Sequence, residues 1–484
     1  MHTVKVGHQR WAAIAIAGLC AIVLCVFMRN WGYDDPYITF RYSQNLVNGN
    51  GFVYNVGDLT LSTTAPLYAL ILALFRVFNL SLPVVGIVIG SLALALSGLA
   101  LWELGQLWKT PVVGWAGLVI LPFFPILAMT VGSESPLTVA LGLWGIVAYV
   151  ARRYTWSAVL LALAILCRAD SGLILPVLAV HYLFSHSFNG ADRGQREPFP
   201  WRGVVVGAVI LSAWFGFAWL YFGSPLPVTL AAKRAQGLMT ISQSYWQGIG
   251  LLVDQYWALL RYRLPMSLFL VGLVWLARRR TWLLLMAWGG LHLLAYVLLG
   301  VTRYYWYYAQ LVPSIVVAVG LGIDAVTTVS ARWIRRRGAE ILAVVLIMSI
   351  AGVQFGTVHR IGSKPDPRLP IFRQVGEWLN LNTPVDASIG TLEVGVIGFY
   401  AERAMIDFAG LLQPDVAAVF GPSTTYEDSA QWAIDHYRPD YLVFTGDSLS
   451  QTRESASVAE ACTQFHTIER DDYPVPLLIL RCQW

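Results

Sequence analysis

The stretch WGYDDPYITFRYSQNLVNGNGFVYN, residues 31–55, follows an apolar segment and places two adjacent carboxylates near its end. The apolar segment, residues 11–28, is close to the roughly 20 residues that span a bilayer. Asp34 and Asp35 are therefore predicted to lie a few residues beyond a membrane surface. Paired acids in that position are the first candidates for a functional role.

The composition of the whole chain is that of a membrane protein. Of its 484 residues, 57% are hydrophobic and only 13% are charged, and the mean hydropathy is +0.59, whereas soluble domains are about a quarter charged. The net charge of +5 comes from short basic clusters between apolar runs. This is the positive-inside pattern rather than a nucleic-acid-binding face. We expect a polytopic membrane protein that does not bind nucleic acid.

The basic clusters predict the topology. They are Lys5/Arg10, Lys109, Arg152/Arg153, Arg193/Arg196, Arg278–Arg280 and Arg332–Arg337. If all are cytoplasmic, about eleven transmembrane helices follow. These lie near residues 11–28, 83–107, 111–131, 135–151, 156–170, 171–186, 203–222, 264–277, 281–300, 305–328 and 339–358. We expect an uncleaved first helix, a cytoplasmic N-terminus, an extracytoplasmic C-terminus and location in the plasma membrane.

One short apolar run, residues 67–78, does not fit this count. A crossing there would turn all later arginine clusters outward. The number of crossings that keeps all basic clusters cytoplasmic therefore favours a helix along the outer membrane interface, within an external loop of residues 29–82. A true span, with another loop overlooked, is the alternative.

The composition changes after residue 358. Residues 359–370 are polar and proline-rich, which is typical of a linker, and helical periodicity follows from residue 371. Apolar stretches typical of short buried strands then occur at residues 386–392, 403–408 and 440–446. We predict a transmembrane domain, 1–358, followed by a small exported α/β domain, 359–484. Its two cysteines, Cys462 and Cys482, lack metal-ligand spacing and can form a disulfide if exported.

The paired acids differ in their expected roles. Asp35 and Pro36 resemble an N-cap followed by proline in the first helical turn, so structure is one explanation of Asp35. Asp34 precedes the cap, and its carboxylate suits a general base acting on a sugar hydroxyl. A solvated loop acid is the alternative. Together the two acids are also candidate ligands of a divalent cation.

Two further external segments place charge near the ends of apolar runs. Arg168 and Asp170 interrupt such a run, and charged groups within membrane helices usually face a cavity and pair. They are either a structural ion pair or substrate contacts. Glu134, before Pro136, is either an acid at a helix start or a second active-site carboxylate.

Cations occur externally where the positive-inside bias does not explain them. Lys233 and Arg303 are the clearest examples, and each suits an anionic partner such as a lipid phosphate. Arg303 precedes five consecutive aromatic residues, 304–308. These form either an aromatic membrane belt or a sugar-stacking surface.

Five segments together resemble the GT-C superfamily of membrane glycosyltransferases, in particular the bacterial branch that includes the mycobacterial terminal arabinofuranosyltransferase. They are DDPYITFRYSQNLVNGNGFVYN (34–55), GSESPL (132–137), RADSG (168–172), GSPLPVTLAAK (223–233) and LEVGVIGFYAERAMIDFAGLLQPDV (392–416). The chain departs from the family pattern at Ala169, where proline is usual, and at Val228, where asparagine is common. The resemblance implies external juxtamembrane helices within residues 36–78.

The resemblance also implies a function. The enzyme would move a sugar from a polyprenyl-phosphate donor to a cell-envelope glycan, glycolipid or protein, with Asp34 as the catalytic acid/base. We expect Arg303, Lys233 and Arg168 to bind the donor phosphate together with Tyr304 and Tyr305. The supporting active-site residues are Asp35, Arg41, Glu134 and Asp170. No cofactor is required, and a divalent cation is optional. The alternative is a flippase or transporter of lipid-linked glycans, which needs a cavity reachable from both faces.

Overall fold

The chain is helical as far as Ser363 and contains both helices and strands beyond it. The computed structural model describes residues 2–188 and 199–484. The predicted basic cluster Arg193/Arg196 lies outside these residues.

The helical part has sixteen α-helices among the described residues. The first ten are α1 His2–Met28, α2 Asp35–Val47, α3 Pro66–Val77, α4 Leu82–Leu107, α5 Pro111–Ile120, α6 Pro125–Ala128, α7 Ser135–Val150, α8 Tyr154–Cys167, α9 Ile174–Phe188 and α10 Trp201–Phe222. The next six are α11 Thr229–Gln236, α12 Tyr245–Ala258, α13 Leu260–Trp275, α14 Leu283–Leu299, α15 Val312–Ser330 and α16 Arg335–Ser363. Two 3-10 helices, Ala169–Leu173 and Tyr305–Leu311, shape the functional site.

The helices are those of a multi-pass membrane protein, as predicted, but the count of eleven spans is not confirmed. Six described helices are long and apolar enough to cross a bilayer, or seven if α12 and α13, bent by 118°, form one span. Predicted spans 135–151 and 156–170 correspond to α7 and α8, of 16 and 14 residues. At 1.5 Å per residue these helices are about 21–24 Å long, shorter than a bilayer core of about 30 Å.

Glycines bring the central helices together. A Cβ at Gly272 of α13 would collide with the Ala318 carbonyl of α15, and one at Gly322 of α15 would collide with the Leu268 carbonyl of α13. Helices in membranes approach closely through such small residues, because apolar burial alone does not favour helix contact in lipid. This pair forms a rigid part of the transmembrane core.

Helix α3 contains most of the apolar run that did not fit the topology. It buries Tyr68 and Leu72 and exposes Leu70 and Leu74. A short helix with one apolar face exposed suits the membrane interface. Its interfacial position nevertheless stays a prediction.

The C-terminal part is a small α/β domain. Its elements are α17 Arg368–Asn382, β1 Ser388–Thr391, α18 Val396–Ala401, β2 Ala404–Asp407, α19 Pro414–Ala417, α20 Tyr426–Tyr437, β3 Tyr441–Thr445, α21 Ser450–Arg453, α22 Ala456–Ala461, β4 Cys462–Arg470 and β5 Tyr473–Cys482. The sheet order is β2-β1-β3-β5-β4. Strands β1, β2 and β3 are parallel, whereas β5 is antiparallel to both β3 and β4.

Three strands coincide with the predicted apolar stretches, but the β4–β5 hairpin was not predicted. A disulfide joins Cys462 to Cys482, which are opposite each other on the hairpin. The predicted linker is only partly irregular, because α16 continues to Ser363 and α17 begins at Arg368. The domain boundary at residue 358 stays a prediction and falls inside α16.

The α/β domain packs on the segment between α1 and α4, which includes α2 and α3. Arg41 donates to the Gly398 carbonyl at 3.1 Å. Asn55 pairs through its side-chain amide with both the N–H and the carbonyl of Met405, at 2.8 and 2.9 Å. Side chains of this segment thus continue the hydrogen bonding of the domain, and the two parts meet around the functional site.

Candidate active site

A cavity of about 470 Å³ lies between the segment that joins α1 to α4, the following helices and the α/β domain. We call it the outer cavity. Its polar wall is formed by Asp35 at the start of α2, Glu134 before α7, Arg168 and Asp170 between α8 and α9, and Lys233 in α11. Four segments far apart in sequence therefore supply five charged groups to one space.

Asp35 and Lys233 face each other in the outer cavity. The Lys233 ammonium is 4.0 Å from the Asp35 carboxylate, and the Lys233 side chain is only 12% exposed. The ammonium also lies 4.0 Å from the centre of the Tyr304 ring, a cation–π contact. No hydrogen bond to this ammonium is found in the described part of the chain, so its three donors are available to a ligand.

The protonation state of Lys233 follows from its surroundings. Burial is the largest influence and lowers its pKa, but Asp35 and more distant acidic groups together raise the pKa above its usual value. Lys233 therefore stays cationic at neutral pH. A buried cation with free donors is suited to an anionic group such as a phosphate.

Asp34 lies outside the outer cavity lining. Its two carboxylate oxygens accept hydrogen bonds from the backbone N–H groups of Gly395 and Val396, at 2.8 and 2.7 Å. We call this contact the Asp34 clasp. A Cβ at position 395 would collide with the carboxylate, so only glycine permits the approach.

The clasp corrects the capping argument made from the sequence. Asp34, not Asp35, occupies the N-cap position of α2, and its side chain makes no capping hydrogen bond to that helix. It caps α18 instead, since Gly395 and Val396 begin that helix. The catalytic assignment to Asp34 stays a prediction, but Asp35 is the acid whose side chain lines the outer cavity.

Arg168 is held by surrounding acceptors. Its guanidinium donates to Glu134 at 3.0 Å, to Asp170 at 2.8 Å and to Tyr296 at 3.1 Å. A weaker contact to Ser135 at 3.4 Å and one from Nε to Asp170 engage its remaining donors. The donors of Arg168 are therefore already engaged within the protein, which favours the structural interpretation over phosphate binding.

An aromatic stack of Tyr33, Trp306 and Tyr304 stands beside Lys233. The Tyr33 and Trp306 rings are 5.5 Å apart and nearly parallel, and the Trp306 and Tyr304 rings are 4.6 Å apart at 13°. Tyr33 and Trp306 also line the outer cavity. Flat rings at a polar cavity provide a surface on which the apolar face of a sugar can pack.

Besides Asp34, four predicted site residues do not line the outer cavity: Arg41, Arg303, Tyr304 and Tyr305. Arg303 is exposed, and Tyr305 donates to the Met129 carbonyl at 3.3 Å. Arg41 is buried and donates to backbone carbonyls, including that of Gly398. Its role is therefore to fix the α/β domain, because its donors are occupied away from the cavity. Tyr304 contributes through its contact with Lys233.

The sequence did not single out several residues that complete the outer cavity. Tyr33, Tyr296 and Leu411 all line it, beside Tyr307 from the predicted aromatic run 304–308. Leu411 belongs to the α/β domain and follows β2, so its contribution depends on how that domain docks. The clusters of tyrosines were visible in the sequence, but nothing in it indicated Leu411.

The predicted metal pair does not fit the observed geometry. Within residues 2–188 and 199–484, no group of three or more histidine, cysteine or acidic side chains is placed to hold a metal ion. Both oxygens of Asp34 accept backbone N–H groups, and Lys233 already lies beside Asp35. The two acids therefore do not form a common donor set.

Three carboxyl groups near the junction of the two domains have raised pKa values. Burial is the main cause in each case. At Asp34 and Asp407 it raises the pKa by more than the hydrogen bonds from backbone N–H groups lower it. The pKa is about 6 for Asp34, about 7 for Asp407 and about 8 for Glu393. Asp34 and Asp35 also contribute to the shift at Glu393.

Comparison with known families covers the α/β domain only. The profile of a domain of unknown function, DUF8728, matches residues 364–477. No curated protein sequence matches the chain.

Solved structures resemble the whole chain. ArnT from Cupriavidus metallidurans bound to undecaprenyl phosphate has a TM-score of 0.63 at 14% identity, with 97% of each chain covered. The Archaeoglobus fulgidus oligosaccharyltransferase in complex with Zn and sulfate has a TM-score of 0.59 at 13% identity, covering 88% of this chain and 67% of that one. The arabinofuranosyltransferase AftD from Mycobacteria has a TM-score of 0.57 at 14% identity, covering 98% and 40%.

The fold of the chain is therefore similar to the folds of these three proteins, which are members of the GT-C superfamily that the sequence resembles. The likeness to ArnT includes both the helical part and the α/β domain of this chain, since 97% of the chain is covered. At these identities it establishes fold and not substrate.

Proposed function

We propose that the chain is a membrane glycosyltransferase that moves a sugar from a polyprenyl-phosphate donor to an acceptor hydroxyl on the outer face of the plasma membrane. The observation that carries this proposal is the placement of a carboxylate, Asp35, 4.0 Å from a buried ammonium, Lys233, in the outer cavity. One group can accept a proton while the other stabilises a phosphate leaving group. The structural likeness to ArnT bound to undecaprenyl phosphate supports the donor class.

The apolar side of the outer cavity suits a lipid chain. Trp214, Phe215, Leu230 and Leu299 line it. Leu230 and Leu299 are 47% and 37% exposed, so the cavity has an apolar border at the protein surface. A polyprenyl chain would lie along this border with its phosphate directed toward Lys233.

Lys233 would act on the leaving group. As the bond between the anomeric carbon and the phosphate oxygen breaks, the electron pair passes to the phosphate and its negative charge increases. The Lys233 ammonium neutralises that charge in a site that is largely shielded from water, which is an effective form of electrostatic catalysis. Arg168 is already engaged by acids, so it would hold Glu134 and Asp170 in place.

Asp35 would act on the acceptor. Its carboxylate takes the proton of the acceptor hydroxyl while that oxygen forms the new bond to the anomeric carbon. Polyprenyl phosphate departs and the proton remains on Asp35 until it passes to solvent. We place this role on Asp35 rather than Asp34, because the Asp34 oxygens both accept backbone N–H groups. The acceptor would be a cell-envelope glycan, glycolipid or protein.

The disulfide supports an extracytoplasmic location for the α/β domain. Disulfides persist in oxidising compartments, and Cys462 and Cys482 are joined in this domain. Because the domain packs over the outer cavity, the reaction would take place on the same side of the membrane.

The test compares matched variants of the two acids. Purified protein in lipid nanodiscs is incubated with radiolabelled polyprenyl-phosphate sugars and envelope acceptors. Asp35→Asn should lower kcat by about 10²–10⁴, the usual contribution of a general base. Asp34→Asn should retain activity within about tenfold, because it changes the clasp and not the cavity.

Other outcomes would contradict the proposal. Loss of transfer in Asp34→Asn with activity retained in Asp35→Asn would return the catalytic role to Asp34. Movement of lipid-linked glycan in both directions without any transfer product would favour the transporter.

A further inference from the structure

The sheet of the α/β domain contains a topological switch point. Strand β1 pairs with β2 on one side and with β3 on the other, and all three are parallel. The chain passes from β1 to β2 and then crosses to β3, so the direction of strand addition reverses at β1. In open α/β sheets, ligands bind in the crevice at the carboxyl ends of the strands where this reversal occurs.

A second cavity lies at this position. Its volume is about 190 Å³, and it is lined by residues directly after β1 and β3, with α17 and β5 closing its sides. We call it the switch-point cavity. It is smaller than the roughly 300 Å³ of typical drug-sized pockets, so it suits a ligand of about one sugar unit.

Glu393 is the distinctive group in the switch-point cavity. It follows β1, is partly buried and lines the cavity. Across the described residues its carboxyl group has no hydrogen bond and no ion pair. Its carboxyl oxygens are accessible from the cavity, so a ligand that brings hydrogen-bonding groups would pair with them directly.

The charge of the cavity excludes an anion as the preferred ligand. Arg368 is its only cation among the described residues, and it is paired with Asp366 at 2.7 Å. Asp447 lies exposed at the rim, and the hydroxyl groups of Thr445 and Ser448, which hydrogen-bond to each other, complete the polar wall. Acids and hydroxyls without a free cation favour a neutral ligand rich in hydroxyl groups.

The switch-point cavity is close to the proposed chemistry. Glu393 lies two residues before Gly395, whose backbone N–H donates to Asp34 in the clasp, and the charges of both Asp34 and Asp35 raise the pKa of its carboxyl group. An extended glycan with one hydroxyl at Asp35 could therefore place another sugar unit near Glu393.

We propose that the switch-point cavity is a binding subsite for one neutral sugar unit of the acceptor glycan. This inference rests on the proposed function, because it gives the acceptor a second point of attachment beyond the reacting hydroxyl. It also assigns a role to the α/β domain, whose matched family is of unknown function. The domain would select acceptors by the sugar next to the reacting one.

The test measures binding in the absence of any donor. Full-length protein in lipid nanodiscs is titrated with methyl glycosides of pentoses and hexoses, with inorganic phosphate as the anionic comparison, and binding is followed by saturation-transfer NMR. Glu393→Leu, which keeps side-chain size but removes hydrogen bonding, should weaken glycoside binding at least tenfold. Glu393→Gln should stay within about threefold of wild type.

Two further variants complete the design. Glu377→Leu on the exposed face of α17 is the control and should bind glycosides as wild type does. Asp447→Ala changes only the exposed rim and should weaken binding severalfold, so it tests the site even if Glu393→Leu does not fold.

Unchanged glycoside binding in both Glu393→Leu and Asp447→Ala would overturn the inference, and so would preferential binding of phosphate. Because no donor is present, the result is independent of transfer. Glycoside binding that depends on Glu393 in a protein without transferase activity would retain the subsite and reject the proposed reaction.

Discussion

The carboxylate of Asp34 lies between two backbone amides, whereas that of Asp35 lies opposite an ammonium group. Both acids were identified as important from the sequence, which assigned the catalytic role to Asp34; that assignment stays a prediction, and our proposal places the role on Asp35. The partners of Asp34 are 361 and 362 residues away. No local pattern of caps or turns contains that contact, so sequence reasoning could not anticipate the clasp.

Replacement of Lys233 should affect the donor side of the reaction. Lys233→Met removes the cation that neutralises the leaving phosphate, and we expect kcat to fall by about 10²–10³, the usual effect of losing one electrostatic contact to a developing anion. Steady-state transfer assays would measure this. Arg234→Met is the matched control, since Arg234 is the exposed neighbour on α11. Equal effects of both changes would show that Lys233 has no special role.

Removal of the Asp34 side chain should loosen the junction with the α/β domain. Asp34→Ala leaves the amides of Gly395 and Val396 without acceptors, which we expect to cost about 1–3 kcal/mol. Hydrogen exchange of α18 would report the change. Glu377→Ala, exposed on α17, should leave this exchange unchanged.

The junction should also be more stable in mild acid. The pKa of Asp34 is raised to about 6 and that of Asp407 to about 7, so the folded state binds protons more tightly than the unfolded chain. Stability contributed by these groups is fully present below their unfolded pKa of about 4 and is lost as pH rises through about 6–7. Thermal unfolding followed between pH 4.5 and 8 should show this decline. A stability that rises over the same range would contradict it.

At the scale of elements, the sequence predicted those helices and strands that have a local apolar pattern. Strands β1, β2 and β3 are short apolar runs bounded by turns, and all three were found. Strand β4 was missed because most of its residues are exposed and polar, with no alternation to mark it. Of the bent pair, α13 overlaps the predicted span 264–277, whereas α12 was missed because Gln247, Asp254 and Gln255 interrupt its apolar residues.

The β4–β5 hairpin should depend on its disulfide. The disulfide between Cys462 and Cys482 closes a loop with a sequence separation of 20. A cross-link over a loop of this length stabilises the folded state by about 3 kcal/mol. Replacing both cysteines with serine should therefore speed exchange of the protected β5 amides about a hundredfold. The same double change at the unpaired Cys20 and Cys25 of α1 is the control and should leave β5 unchanged. Equal exchange in the two double variants would show that the disulfide is dispensable.

At the scale of the molecule, the fold was predictable, whereas the precise membrane topology stays open to test. Hydropathy and the family motifs led to the GT-C fold, but short helices such as α7 and α8 do not by their length decide whether they cross the bilayer. For the outer cavity, the sequence predicted which segments carry charged and aromatic residues, but not which of these residues are in contact. Which side chains meet there depends on long-range docking of the α/β domain.

The predicted orientation can be tested by cysteine labelling of intact cells. A cysteine at exposed position 377 in the α/β domain should react with an impermeant thiol reagent. A cysteine at exposed position 280, before α14, should react only after permeabilisation. These outcomes follow from positive-inside orientation and an exported C-terminus. Labelling of both positions from the same side would refute the topology and with it the placement of the reaction.

The long separation between the two halves of the Asp34 clasp bears on biosynthesis. Residues 34 and 35 leave the ribosome early, whereas Gly395 and Leu411 are added only after all the helices up to α16. A nascent chain that has inserted its helices therefore still lacks the contribution of Leu411 to the outer cavity. Under the predicted topology, assembly would end with the translocation of the last segment, and an unfinished polypeptide would have no completed site for the proposed reaction.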